Sequence, residues 1–146
     1  MSHPVELAVT ALVVAASAVL FGYWFRYTCL LILNAKTACD YAGQVAAAHQ
    51  LSFPTVRARL NQASAIDLNT LHAAIERDYA TLTRLLEGAE STELSIEMRM
   101  LDARYKMMNA WCRASRSLAP GSARRALDEM CSTVAYFANV LGERTA

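Results

Sequence analysis

The chain has 146 residues, of which 14 are Lys or Arg and 13 are Asp or Glu, so its net charge is close to zero. A balanced charge argues against a general polyanion binder or an acidic tail, and 5 Gly with 3 Pro argue against a collagen-like or low-complexity chain. The length suits one compact domain. The hydrophobic fraction of 55% is high, and the excess lies near the N-terminus.

The first 35 residues contain one acid, Glu6, and one base, Arg26, whereas the remainder contains 12 acids and 13 bases. Residues 7–25 carry no charge and, as a helix, span roughly 28 Å, about the hydrocarbon thickness of a bilayer. The apolar run resumes after Arg26 and can extend the helix to residue 33. We therefore predict an uncleaved membrane anchor over 1–35. A cleaved signal peptide is the main alternative, but the run has no preceding Lys or Arg and ends in bulky aromatic residues.

Aromatic residues surround a base where this segment ends. Such a belt is typical of the point where a spanning helix meets the lipid headgroups. The predicted membrane-interface residues are Tyr23, Trp24, Arg26 and Tyr27. Positive charge follows the segment, at Arg26 and Lys36, and none precedes it. Positive flanks tend to remain inside, which predicts an inner-membrane protein with its N-terminus outside and its body in the cytoplasm.

Beyond the anchor the sequence has helical periodicity throughout. Three short breaks separate runs with apolar residues three and four apart, and no run alternates as a strand does. Short connections favour antiparallel neighbours. The predicted fold is therefore all-α: a single N-terminal transmembrane helix followed by a small antiparallel helical bundle. Residues 36–62 are predicted to form a short helical connecting segment, and residues 63–146 a three-helix cytoplasmic body.

Glycines suggest where two helices of this body end. The first helix, predicted over 68–87, is followed by Gly88, which is expected to end it in the left-handed region. The last helix is predicted from Ser122 to about Leu141, with Gly142 as a stop.

The intervening run, 92–117, has two apolar stripes on opposite sides. The stripe expected inside the bundle consists of Leu94, Met98, Leu101, Tyr105, Met108 and Cys112. The candidate partner face consists of Ile96, Met100, Met107 and Trp111. A helix with two apolar faces must be covered twice, so it is either the middle helix of the domain or an outer helix with a partner. Residues 37–62 are the first expected cover; a second copy, a different protein and the membrane surface are the alternatives. Met is adaptable and Trp is favoured at interface centres, which suits a protein contact.

The sequence has no recognisable pattern of catalytic, cofactor-binding or metal-binding residues. His3, His49 and His72 lie far apart, and the sequence has no zinc-type Cys/His spacing, nucleophile elbow or phosphate loop. His72 borders an apolar helix face and is expected to pack there. We therefore predict no catalytic, cofactor or metal site, no small-molecule substrate and no enzymatic activity.

Residues 45–60 resemble a bacterial helix-turn-helix. The residues that carry the resemblance are Ala46, Leu51, Ser52, Thr55 and Val56. Gln50 stands where the turn of that family usually has glycine. The resemblance implies DNA contacts at the start of the second helix, by Phe53, Thr55 and Arg57. An ordinary helix break at Ser52 and Pro54 explains the same residues.

The leading hypothesis is a single-pass membrane protein whose cytoplasmic body is a non-enzymatic protein-interaction or accessory-subunit module. Its expected partners are the lipid bilayer and either another protein or a second copy. A membrane-tethered helix-turn-helix DNA-binding regulator is the alternative. One further stretch of the sequence is basic and has no acid between its members: Arg113, Arg116, Arg124 and Arg125. It suits either contact with anionic lipid headgroups or a solvated loop face.

Overall fold

The computed structural model describes residues 3–35, 40–62, 66–89 and 95–146. These residues contain six α-helices and no strand, which confirms the all-α prediction. The helices are α1 His3–Asn34, α2 Ala42–Ala48, α3 Phe53–Leu60, α4 Leu68–Gly88, α5 Ile96–Ser115 and α6 Pro120–Thr145. The chain divides into two compact units, Met1–Ala35 and Lys36–Ala146.

The first unit is α1, one uninterrupted helix of 32 residues. It contains an 18-residue window with a mean hydropathy of 2.2, none of which is buried. The predicted span, 7–25, lies inside this helix, which continues through Arg26 to Asn34. α1 is therefore long and apolar enough to cross a membrane, and a signal sequence near an N-terminus meets the same criteria.

The second unit is built around α6, which contacts α2, α3, α4 and α5. Small buried residues on α6 let its neighbours approach closely: Ala123, Ala126, Ala138 and Gly142. The middle helix of the body is therefore α6. Of the two alternatives for α5, the middle helix of the domain or an outer helix, the described structure shows the outer position, since along its backbone α5 packs on α6 alone.

The segment expected to be a connection contributes to the core of this unit. α2 and α3 pack against α6, and α3 also packs against α4. Their inward side chains are buried: Val45, Ala46, Phe53, Val56 and Leu60. The backbone N–H of Tyr41 donates to Asn139 Oδ1 at 2.7 Å. The described part of residues 36–146 thus forms a five-helix body where we expected three helices and a connecting segment.

α4 and α5 run antiparallel and meet through their side chains. The rings of Tyr79 and Tyr105 stack with centroids 3.7 Å apart. Nearer the start of α4, Arg116 donates to Asn69 Oδ1. Both helices pack on α6, so this contact closes a three-helix arrangement and fixes which side of α5 points outward.

Three helix boundaries differ from the predicted ones. α6 begins at Pro120 instead of Ser122, because proline is well tolerated in the first turn of a helix. Gly88 does not have a positive φ, so it does not end α4 in the left-handed region. The run predicted from residue 92 is helical from Ile96 in the part that the structure describes, and Leu94 lies outside the described residues.

Gly142 is inside α6 and does not stop it, since the helix continues to Thr145. The residue is buried, and a Cβ at this position would collide with the Tyr41 side chain. The glycine therefore has a packing role: it admits the residue that precedes α2 against the surface of α6.

Candidate functional site

The candidate partner face is exposed on α5. The exposed fraction is 74% for Ile96, 54% for Met107 and 55% for Trp111, and Met100 is half-buried. The first expectation, cover by residues 37–62, is not met by the part of that segment that the structure describes, residues 40–62. The described part of that segment packs on α4 and α6 instead, because its own apolar residues are directed toward those helices.

The opposite side of α5 forms part of the core, as expected. Met98, Leu101, Tyr105 and Cys112 are buried against the rest of the body. Met108 of the same stripe is half-buried. α5 is therefore a helix with two apolar sides, of which the described residues of this chain cover one.

Small residues make the exposed side a continuous apolar strip. Ala103, Ala110 and Ala114 are exposed and, at 100° per residue, fall within the same sector as the four larger side chains. The indole N–H of Trp111 donates to Ser122 Oγ at 2.9 Å, which holds the ring against the start of α6. We name the apolar strip the α5 face: Ile96, Met100, Ala103, Met107, Ala110, Trp111 and Ala114.

Charged side chains beside the α5 face bind one another within the body. Lys106 lies 2.8 Å from Asp102, four residues earlier on α5. On the other flank the buried Arg104 donates to Glu129 at 2.9 Å. These pairs leave the strip between them apolar.

A polar network between α4 and α5 sets the register of α5. His72 is buried, which confirms the prediction that it packs, and its Nε2 donates to Asn109 Oδ1 at 2.5 Å. The Asn109 side-chain amide donates to Glu76 at 3.1 Å, and Arg113 donates to the same carboxylate oxygen. Burial acts to raise the pKa of Glu76, but the hydrogen bonds from Arg113 and Asn109 outweigh it and hold that pKa below its ordinary value. The network therefore favours the ionised form of Glu76.

The helix-turn-helix resemblance has a structural counterpart in α2, a turn and α3. Gln50 has φ 52°, so it adopts the left-handed conformation that glycine favours in such turns. Ser52 stands at the predicted cap position, but its side chain does not cap α3. Asp78 of α4 does so instead, because its carboxylate accepts the backbone N–H groups of Ser52 and Phe53 at 2.6 Å each.

Sequence reasoning missed Asp78. The available signal was an acid on the apolar side of an amphipathic helix, beside Ile75 and Leu82. Burial raises the pKa of this carboxyl, although both backbone N–H groups act to lower it. Asp78 is thus a structural residue that joins α4 to the start of α3.

Two of the three residues expected at DNA are engaged within the body. Phe53 was expected to be exposed and is 5% exposed, because it shares the inward side of α3 with Val56 and Leu60. Arg57 donates to Ser132 Oγ at 2.5 Å and lies 3.8 Å from Asp128. Of the three, only Thr55 is fully exposed.

The predicted membrane-interface residues follow one another near the middle of α1. Tyr23, Trp24, Arg26 and Tyr27 are all exposed. The exposed fractions of the three aromatic rings lie between 52% and 69%. Their placement at a lipid boundary stays a prediction.

Two buried cysteines of the body have a packing role. Cys112 and Cys131 are inaccessible to solvent. Burial raises the pKa of both thiols, that of Cys131 to about 12, so the nucleophilic thiolate is scarce at neutral pH. Across the described residues, no three His, Cys, Asp or Glu side chains are placed to share a metal ion.

Comparisons of the chain with protein-family models, with curated proteins and with solved structures find no match. The candidate functional surfaces are therefore α1 and the α5 face. These two surfaces have an apolar character that the described parts of the chain leave open to the surroundings.

Proposed function

We propose that this protein is a single-pass membrane protein whose body binds another protein through the α5 face, as a non-enzymatic interaction module or accessory subunit. α1 is the anchor, and the body lies on the cytoplasmic side. The observation that carries the proposal is the exposure of Ile96, Met107 and Trp111 along one side of a helix whose other side is in the core.

Burial physics supports a partner on this face. A helix needs one apolar side to pack into its own domain, and α5 already has that side against α6. Contiguous exposed apolar surface on a folded domain marks an interaction site. The hydrogen bond from Trp111 to Ser122 fixes a large aromatic ring in place before binding, which lowers the entropy lost when a partner covers it.

Site-specific photo-crosslinking in intact membranes tests the proposal. A crosslinking amino acid at Met107 should give a discrete adduct of defined mass, and the same amino acid at Ala80, an exposed position of α4, should not. Mass spectrometry then identifies the adduct as a second copy or as another protein. Equal labelling from both positions would show that the α5 face has no preferred partner.

Substitution at Trp111 measures the strength of the contact. Trp111→Ala should weaken association by roughly 2 kcal/mol or more if the ring is a hot spot. Ser122→Ala is the matched control, because it removes the hydrogen bond at Trp111 Nε1 and keeps the ring. A complex of unchanged affinity after Trp111→Ala, in a protein of unchanged helicity, would remove this residue from the proposed interface.

The anchor is tested by extraction. The full chain should stay in the membrane pellet after high-salt and alkaline washes, because a spanning helix is held by apolar burial. Release by salt would contradict α1 as an anchor. A reporter fused after Ala146 tests the side of the membrane, and activity of a reporter that works only outside the cytoplasm would reverse the proposed orientation.

The left-handed turn at Gln50 favours a second candidate function, a membrane-tethered DNA-binding regulator. The burial of Phe53 and the pairing of Arg57 with Asp128 count against it. If α3 binds DNA, affinity should fall steeply with added salt and should fall after Arg59→Gln, since Arg59 is an exposed base of that helix. Arg77→Gln on α4 is the control. Salt-independent or absent binding would end this candidate.

A further inference from the structure

One end of the body is rich in arginine. Between Asp102 and Asp128 the sequence contains no acid. It contains six bases: Arg104, Lys106, Arg113, Arg116, Arg124 and Arg125. The last four lie where α5 ends and α6 begins, which gathers their charges at one end of the five-helix body.

Hydrogen bonds to neutral groups hold two of these arginines. Arg124 donates to the backbone carbonyl oxygens of Leu60 and Gln62, where α3 ends. Arg116 donates to the side-chain carbonyl oxygen of Asn69. A carbonyl oxygen orients a guanidinium without cancelling its charge, so both side chains remain cations that can attract an anion.

The remaining charges at this end do not balance the arginines. Arg125 is exposed. Arg113 binds Glu76, and Asp67 lies close by at the start of α4, where its carboxylate accepts the backbone N–H of Asn69. The next acid along α6, Asp128, lies 3.8 Å from Arg57 of α3. The acids beside the four arginines in the described structure are therefore Glu76 and Asp67, and the local charge is positive although the whole chain is nearly neutral.

A large apolar side chain is exposed among these charges. Leu118, in the connection between α5 and α6, is 87% exposed, which is the highest value among the large apolar residues that the structure describes. We name this region the arginine end: Arg113, Arg116, Leu118, Arg124 and Arg125. Exposed apolar side chains beside arginines suit a lipid surface, because the apolar group enters the acyl boundary and the cations meet the phosphates.

We propose that the arginine end docks on an anionic phospholipid surface. A nucleic acid would use the same arginines, but phosphate contacts leave an exposed leucine without a role. This docking proposal rests on the proposed function, in which α1 anchors the chain and so holds the body near a bilayer. The docking surface is distinct from the central part of the α5 face, so a body that rests on lipid can still bind a protein through Ile96 and Met107.

A single-tryptophan reporter tests the docking in the full chain. The chain has two tryptophans, Trp24 and Trp111, so Trp24→Phe, Trp111→Phe and Leu118→Trp together leave one reporter at the arginine end. The protein is placed in nanodiscs of brominated phosphatidylcholine, with or without brominated phosphatidylglycerol. Bromine quenches only a ring close to the lipid. We expect quenching at least about twofold stronger in the anionic discs, and a loss of that difference near 1 M salt, where the Debye length is about 3 Å.

Two matched pairs of arginine variants test whether docking depends on the arginine end and not on arginines elsewhere in the body. Arg116→Gln with Arg125→Gln should lower the docking equilibrium about tenfold or more, since each base near an anionic surface contributes on the order of 1 kcal/mol. Arg77→Gln with Arg84→Gln removes two exposed arginines of α4 and should leave the quenching unchanged. Circular dichroism shows whether each variant is folded.

Four results would overturn the proposal. They are quenching that is absent, quenching that is equal in neutral and anionic discs, equal loss in both arginine pairs, and release of the reporter from lipid onto added duplex DNA. Failure of the anchor is distinguishable from these results. If α1 does not hold the chain in the disc, the proposed anchoring is wrong, and cosedimentation of the same chain with phosphatidylglycerol vesicles still tests the arginine end.

Discussion

α5 and α6 are neighbouring helices with different surroundings. α6 contacts all four other helices of the body, and twelve of its residues are buried, many of them alanine, glycine or threonine. α5 has large apolar side chains on two sides but contacts only one helix along its backbone. Small residues admit close neighbours, whereas large ones on an outer helix need a cover from elsewhere. The size of apolar residues thus separates the centre of this body from its proposed interface.

The largest expected effect separates the buried side of α6 from the exposed side of α5. Leu127→Ala should lower the free energy of unfolding by about 2–5 kcal/mol, because Leu127 is fully buried. Ile96→Ala should change it by less than about 0.5 kcal/mol, because Ile96 is 74% exposed. Urea unfolding measures both. A large loss from Ile96→Ala in the purified protein would mean that the α5 face is already covered in solution.

The second prediction tests close packing on α6. Gly142→Ala places a Cβ against the Tyr41 side chain, and overpacking of this kind costs about 1–3 kcal/mol. Gly88→Ala in the last turn of α4 meets nothing within 4 Å and should stabilise by about 0.5–1 kcal/mol, because alanine is the better helix former. Thermal unfolding of the two variants should therefore shift in opposite directions. A stabilising Gly142→Ala would show that Tyr41 does not pack there.

The third prediction compares two capping carboxylates. Asp78→Ala leaves the backbone N–H groups of Ser52 and Phe53 without their acceptor and should cost about 2 kcal/mol or more, because the site is buried. Asp67→Ala removes an exposed cap that accepts the Asn69 N–H and should cost clearly less, because water can replace the lost acceptor. Hydrogen exchange should show faster exchange at Ser52 and Phe53 only in the first variant. Equal costs would argue against a buried cap.

The smallest expected effect is a dependence on pH. The pKa of Glu76 is lower in the folded chain than in the unfolded chain, so its contribution is present above the unfolded pKa and is lost as the pH falls through the folded pKa. Glu76→Gln should therefore destabilise at neutral pH by about 1 kcal/mol or less, since the side chain is one third exposed. The difference from the unsubstituted protein should vanish in acid. A difference that persists at low pH would assign Glu76 a role that does not depend on its charge.

Periodicity predicted the helices well and predicted their neighbours poorly. The apolar spacing within 68–87 and 92–117 indicates where α4 and α5 form and which sides are apolar, because the helical repeat is local. Which residues pack against each apolar side, by contrast, depends on parts of the chain that are far away in sequence. Tyr41 and Asn139, which share a hydrogen bond, are 98 positions apart, and nothing in either local pattern indicates the other.

The candidate site shows the same difference between local pattern, which was predictable, and long-range packing, which was not. Ile96, Met100, Met107 and Trp111 were identified from spacing alone, whereas their exposure depends on where α2 and α3 pack. Phe53 was misplaced for this reason: an aromatic residue at a helix start can face either way, and the packing of α3 on α4 and α6 buries it. The apolar side of α4 marks Asp78 as an unusual acid, but its partners are backbone N–H groups, and no side-chain pattern identifies those.

The position of α6 has a consequence for synthesis on the ribosome. α2, α3, α4 and α5 all precede the helix on which they pack. α4 and α5 meet through side chains alone, and α3 is the one of these helices that packs closely on others of the four, α2 and α4. A nascent chain that contains only these four helices therefore lacks the helix on which all of them pack. We expect the body to stay loosely organised until α6 has left the exit tunnel and then to fold in a single step. During that interval its apolar stripes are open to chaperones and to the membrane that α1 is proposed to enter.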